Sequence, residues 1–169
     1  MKKIVLFLFV VIATLSVSAQ SVYVGGAFGL WRNDDADMTS FKIAPEVGYN
    51  LNEKWAVGVV LEYEHASEHD LSGNAFSIAP YARYSFYENK LVRLFADGGF
   101  GFLTVKEEHL SMNGFEIGVT PGIAIKLNHH FSLVAKCGFL GYRSKHTSDP
   151  GFGLKLSSED LTFGFHYEF

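Results

Sequence analysis

The chain is poor in cysteine, in basic charge and in long apolar runs. Its one cysteine, Cys137, has no internal partner for a disulfide. Lys and Arg number 14 against 18 Asp and Glu, a balance that gives a nucleic-acid partner no support. After the first dozen positions no run approaches the roughly 18–20 apolar residues of a membrane-crossing helix. If this chain spans a membrane, it does so as strands.

The first positions read as a secretory leader. Lys2 and Lys3 precede the apolar run Ile4–Ile12, and Ser16-Val17-Ser18-Ala19 ends it on small residues. Residues 1–19 are therefore expected to be a signal peptide and residues 20–169 a single domain. Cleavage would also remove two lysines and make the net charge of −4 more negative. A leader implies an oxidising compartment. Cys137 lies outside the leader, so no lipid-anchor cysteine follows the cleavage site. At an apolar-facing strand position it is expected to act as a small hydrophobe.

What the chain has in quantity is alternation. In Leu161-Thr162-Phe163-Gly164-Phe165-His166-Tyr167-Glu168-Phe169 every odd position is large and apolar and every even one small or polar. A period of two belongs to a strand. Seven earlier segments follow the same rule: Val22–Trp31, Phe41–Tyr49, Trp55–Tyr63, Phe76–Phe86, Leu94–Phe102, Phe115–Leu127 and Phe131–Tyr142. In the last of these the pattern puts Phe131, Leu133, Ala135 and Phe139 on the apolar face. Short turns are expected at Asn50–Lys54, Tyr87–Leu91 and Asn128–His130. Longer polar loops are expected at Arg32–Ser40, Glu64–Ala75, Thr104–Gly114 and Arg143–Asp160. Phe41-Lys-Ile-Ala-Pro45 recurs as Phe76-Ser-Ile-Ala-Pro80, and a weaker copy starts at Phe115. Each step is one hairpin long, so a meander explains the repeat and no solenoid is needed. Pro45, Pro80 and Pro121 fall on the apolar face inside strands, where a bulge is the usual way to accommodate a missing donor.

The polar face carries Lys42, Arg83, Arg93, Lys126 and Lys136 against Glu46, Glu62, Asp97, Glu116 and Glu168, with His166. A soluble barrel would put its charges outside, and parity alone does not choose between the two. The aromatic residues do. Trp55, Tyr63, Tyr49, Tyr84, Phe86, Phe131, Tyr167 and Phe169 cluster at segment ends, as in the interfacial girdles of lipid-facing barrels. The sequence therefore predicts an all-β fold, an eight-stranded antiparallel up-and-down transmembrane β-barrel. An eight-stranded interior is only wide enough to be filled by side chains, and charges inside it must be paired. The expected lumen network is Glu46, Glu62, Arg83, Asp97 and Lys136, with glycines on the same face leaving room for it.

Motifs for chemistry are sparse. His65-Ala-Ser-Glu68-His69 spells an inverted zinc-protease pattern, but that pattern needs a helix and here lies between strands. His129-His130 and Glu107-Glu108-His109 read as solvated, and Gly98-Gly99-Phe100-Gly101 lacks the strand–turn–helix setting of a phosphate loop. No cofactor or metal site is expected. His146-Thr147-Ser148, followed by Glu159 and Asp160, resembles the His-x-Ser…acid order of the lipid A deacylases, themselves eight-stranded barrels. A serine nucleophile needs such a base and such an acid. Here Asp149 stands where that family has Asn, and the acid is displaced.

The leader ending Ala19-Gln20, the repeated hairpins, the glycine-rich polar face and the terminal Phe169 together resemble the small outer-membrane protein A/X-like barrels, including the outer-membrane β-barrel domain common in Bacteroidetes. The resemblance implies residence among outer-membrane lipids and insertion by the outer-membrane assembly machinery, with Phe169 as the assembly signal. It supplies no active site, and with no domain after Phe169 the anchoring of peptidoglycan is not expected. The resulting expectation is a non-enzymatic outer-membrane component with a plugged lumen, meeting any extracellular ligand through its outer loops. The alternatives are a lipid A hydrolase using His146 and Ser148, or a carrier for a small hydrophobic molecule, which the charged lumen argues against.

Overall fold

A computed structural model describes residues 22–33, 38–68, 71–107, 110–144, 150–156 and 161–169. The proposed leader lies outside them. The described residues form ten strands: β1 (Val22–Asn33), β2 (Met38–Asn50), β3 (Trp55–Glu68), β4 (Leu71–Glu88), β5 (Val92–Glu107), β6 (Leu110–Lys126), β7 (Phe131–Lys136), β8 (Phe139–Arg143), β9 (Gly151–Lys155) and β10 (Thr162–Glu168). Each of β1 to β6 pairs antiparallel with the next, β7 pairs with β10, and β10 returns to β1. The ring is a closed eight-stranded barrel. Its seventh wall strand is β7 continued by β8, and β9 pairs with β8 above the start of β10.

Closure puts the alternation to work. Even positions of β10 turn inward and odd ones outward, so Phe163, Phe165 and Tyr167 are exposed while His166 is buried. The same holds around the ring: Ile43, Val57, Ile78, Phe100, Ile117 and Ile125 lie on the outside, and Glu46, Arg83 and Asp97 lie inside. Among the described residues the buried apolar interior comprises two small clusters, Tyr23–Ala56–Tyr81 and Phe95–Ala124–Val134. A fold whose largest apolar surface is external is stable only where something apolar surrounds it. Aromatic pairs ring the turn end of the barrel, with Trp55–Tyr84 centroids 4.8 Å apart and Phe131–Phe165 centroids 5.8 Å apart.

Three expectations are corrected. First, Arg32–Ser40, Glu64–Ala75 and Thr104–Gly114 are largely strand rather than loop: Arg32 pairs with Thr39, Glu64 with Ala75 and Thr104 with Asn113. Within Arg143–Asp160 lies β9. A hydrogen-bond ladder needs no apolar face, so the strands continue past the level where one is required. Polar composition there reports the surroundings of the backbone, not its conformation.

Second, Phe139 points inward. The β6 register runs Gly122↔Lys136 below and Val119↔Leu140 above, so the seventh wall strand gains one residue between them. Gly138, at φ 71°, makes the turn, and the inserted residue flips every later side chain. Leu140 and Tyr142 face outward, and the Phe139 ring lies under the Arg143 guanidinium at 4.2 Å. Cys137, just before the flip, is exposed.

Third, Pro45 and Pro80 need no bulge. The β2–β3 register runs Ile43↔Tyr63 and resumes at Glu46↔Val60, and the β4–β5 register runs Ile78↔Phe102 and resumes at Tyr81↔Gly99, without a shift. The ladder skips the proline on one side and is kept on the other, where Gly26 pairs with Pro45 and Val59 with Pro80. At Pro121 the skip coincides with the inserted residue, and the Cys137 amide donates to the Pro121 carbonyl at 3.1 Å.

Candidate functional site

The inward face converges on one guanidinium. Arg83, on β4, donates to both carboxylate oxygens of Asp97 on the neighbouring β5, Nε to Oδ1 at 2.7 Å and Nη2 to Oδ2 at 2.8 Å. The same Nη2 reaches across the lumen to Glu46 Oε1 on β2 at 2.9 Å. Lys136 on β7 closes the circuit from the far wall, 3.1 Å from Glu46 Oε2 and 3.0 Å from Asp97 Oδ2. Two cations thus meet two carboxylates. The forked donor set matches the carboxylate in a way a lysine could not.

Three rings complete the setting. Arg83 lies 4.0 Å from the Phe95 ring centroid, 5.2 Å from that of Tyr81 and 5.5 Å from that of Tyr23. The Tyr81 hydroxyl donates to Glu46 Oε1, and the Tyr23 hydroxyl is 2.5 Å from that of Tyr81. His166 on β10 places Nε2 3.3 Å from Glu46 Oε1 and Nδ1 3.4 Å from Arg83 Nη1. Such a ring accepts from arginine at one nitrogen and donates to glutamate at the other. Arg83 is 3% exposed. Moving a charge that far from water costs several kcal/mol per ion (~, after relaxation), and only dense pairing of this kind offsets it.

Room for these side chains comes from glycine, one strand over. Tyr23 is registered opposite Gly48, Tyr81 opposite Gly58, Phe95 opposite Gly122 and His166 opposite Gly25. A Cβ at Gly48 would lie 2.1 Å from the Tyr23 ring; one at Gly58 would lie 2.5 Å from the Tyr81 hydroxyl, and one at Gly122 2.4 Å from the Phe95 ring. The glycines of the polar face make room mainly for aromatic rings.

Of the five residues expected in the lumen network, Glu46, Arg83, Asp97 and Lys136 come together. Glu62 does not: it pairs with Lys42 at 2.8 Å in the half-exposed outer part of the lumen. There a cavity of about 580 Å³ is lined by Lys42, Glu62, Glu116, Arg143 and the top of the central cluster, with Arg143 held by Glu116 at 3.0 Å. At the turn end Arg93 joins Glu88 and Glu168, each at 2.9 Å, and Lys126 also pairs with Glu88. Sequence reasoning missed His166, Tyr23, Tyr81 and Phe95 as members of the centre. The signal that finds them is a bulky inward side chain registered against a glycine, which needs the register.

His65 Nδ1 lies 2.9 Å from Asn74 Oδ1, whereas His69, Glu108, His109, His146, Ser148, Asp149, Glu159 and Asp160 lie outside the described residues. His129 is exposed; His130 stacks on Tyr167, its centroid 5.8 Å away. Gly98, Gly99 and Gly101 are strand residues of β5. Phe169 is exposed, and its amide donates to the Val22 carbonyl at 3.2 Å where the barrel closes.

Comparison with known proteins agrees with this geometry. The family model of the outer membrane protein beta-barrel domain matches residues 4–169. Among solved structures, the chain is similar to the outer membrane protein OprG from Pseudomonas aeruginosa, with TM-score 0.58, 11% identity, and 89% of this chain and 96% of that one covered. It is similar to the N-terminal β-barrel domain of Pseudomonas aeruginosa OprF, with TM-score 0.54, 16% identity and coverage of 89% and 98%. It is also similar to Neisserial surface protein A, with TM-score 0.54, 14% identity and coverage of 88% and 96%. At these identities the likeness is one of fold. Among curated proteins no sequence match is found.

Proposed function

The chain belongs to the outer membrane protein β-barrel domain family and resides in the bacterial outer membrane, and from that premise we propose that it is a non-enzymatic, closed barrel acting through its outer surface. The observation that carries this reading is the Arg83-centred cluster. It ties β2, β4, β5, β7 and β10 together across the lumen with balanced charge. A pore through this level would have to break several buried ion pairs at once, which opposes steady passage of ions or hydrophilic solutes. The charged lining equally opposes a hydrophobic cargo.

The outer ends of the strands are the working part. A strand crosses the hydrocarbon layer in about 9–11 residues, and β4 has 18 and β6 has 17. The surplus lifts a polar hairpin sheet beyond the membrane, where a rigid wall can present it to an extracellular ligand. Phe169, exposed just past the end of the closing strand, serves as the assembly signal read by the outer-membrane insertion machinery. Planar-bilayer recording of the refolded protein tests the closed state: the expected trace shows no steady conductance, and a large, continuously open pore would refute it.

A further inference from the structure

We propose that the lumen is closed twice, and that Arg93 and Phe95 form a second barrier on the turn side of the Arg83 cluster. The inference rests on the closed-barrel reading and deepens it. Arg93, Phe95 and Asp97 are successive inward positions of β5, and Phe95 borders both levels, with its ring centroid 4.0 Å from the Arg83 guanidinium on one side and Arg93 two residues away on the other. Asp97 holds Arg83 in the centre. Phe95, completely buried, fills the notch at Gly122 and packs with Ala124 and Val134. Arg93 reaches past β6 and β7 to Glu168 on β10, at 2.9 Å, while its Nε holds Glu88 on β4 at the same distance. At about 3.3 Å per residue the two ionic layers lie roughly 13 Å apart along the strand. The apolar cluster of Phe95, Ala124 and Val134 on the walls between the two ionic layers adds resistance to hydration, as hydrophobic constrictions do in channels. Opening the centre alone therefore leaves the lumen shut.

Conductance of charge-conscious variants separates the layers. The core pair Arg83→Ser with Asp97→Ser removes one cation and one anion and leaves Lys136 on Glu46. The mouth pair Arg93→Ser with Phe95→Ala takes one ring from beside Arg83 but keeps the Arg83 ion pairs with Glu46 and Asp97, and leaves Lys126 on Glu88. All are refolded, checked for the heat-dependent gel shift of a closed barrel, and recorded in planar bilayers. The expected result is that each pair stays near the wild-type baseline and the fourfold variant conducts at least ten times more. A core pair that conducts as well as the fourfold variant, or a folded fourfold variant as silent as wild type, would overturn the second barrier. A conducting wild type would overturn the closed-barrel reading itself. If the fourfold variant does not fold, Arg83→Ser with Asp97→Cys and Cys137→Ser answers the same question. A small thiosulfonate reagent should modify that cysteine from the loop side and not from the turn side of oriented vesicles. Equal modification from both sides contradicts the proposal.

Discussion

At the scale of the residue, position in the register decides what a side chain is worth. Arg83 and Glu62 are both charged and both inward, but one is the buried centre of a network and the other half of a solvated pair. Arg83→Met should destabilise the barrel by about 3–5 kcal/mol, because it strands Asp97 and part of Glu46. Glu62→Gln should cost less than about 1 kcal/mol. Urea titration of the protein folded into lipid vesicles, read by gel mobility, compares them; equal losses would mean that the network has no centre. Glycine makes the same point. Gly58→Val drives side-chain atoms into Tyr81 and should cost about 1–3 kcal/mol by overpacking. Gly153→Ala, with nothing within 4 Å of the new Cβ, should be silent.

At the scale of the element, the seventh wall strand tests how far a sequence pattern can be trusted. Alternation placed Phe139 outside because it counts residues; the ladder places it inside because Gly138 adds one. Cys137, on the lipid side of that break, should react with a membrane-soluble maleimide and resist a charged, water-soluble one. A cysteine at Phe139 in a Cys137→Ser background should show the opposite preference, and identical behaviour of the two would remove the flip. The strands themselves were legible, since period-two alternation needs only the chain. Their true lengths were not, because the hairpin ends are polar on both faces and differ from loops only in their hydrogen bonds. The centre was half legible: sign and parity pick out Glu46, Arg83, Asp97 and Lys136. Which bulky group meets which glycine depends on cross-strand register, and that is how His166, Tyr23, Tyr81 and Phe95 escaped.

At the scale of the whole molecule, the barrel is an inversion: apolar residues outside, ions within, and a membrane to make that arrangement stable. The two surfaces of one strand alternate, so a single strand can report on both. The most direct measurement is a nitroxide scan along β4 of the folded protein in lipid bilayers, with collision rates for oxygen, which concentrates in the acyl layer. Spin labels at Phe76, Ile78, Ala82 and Tyr84 should collide often, and labels at Ser77, Ala79, Tyr81 and Ser85 rarely, in strict alternation. The opposite phase, or a uniform low rate along the strand, would contradict the lipid-facing apolar surface.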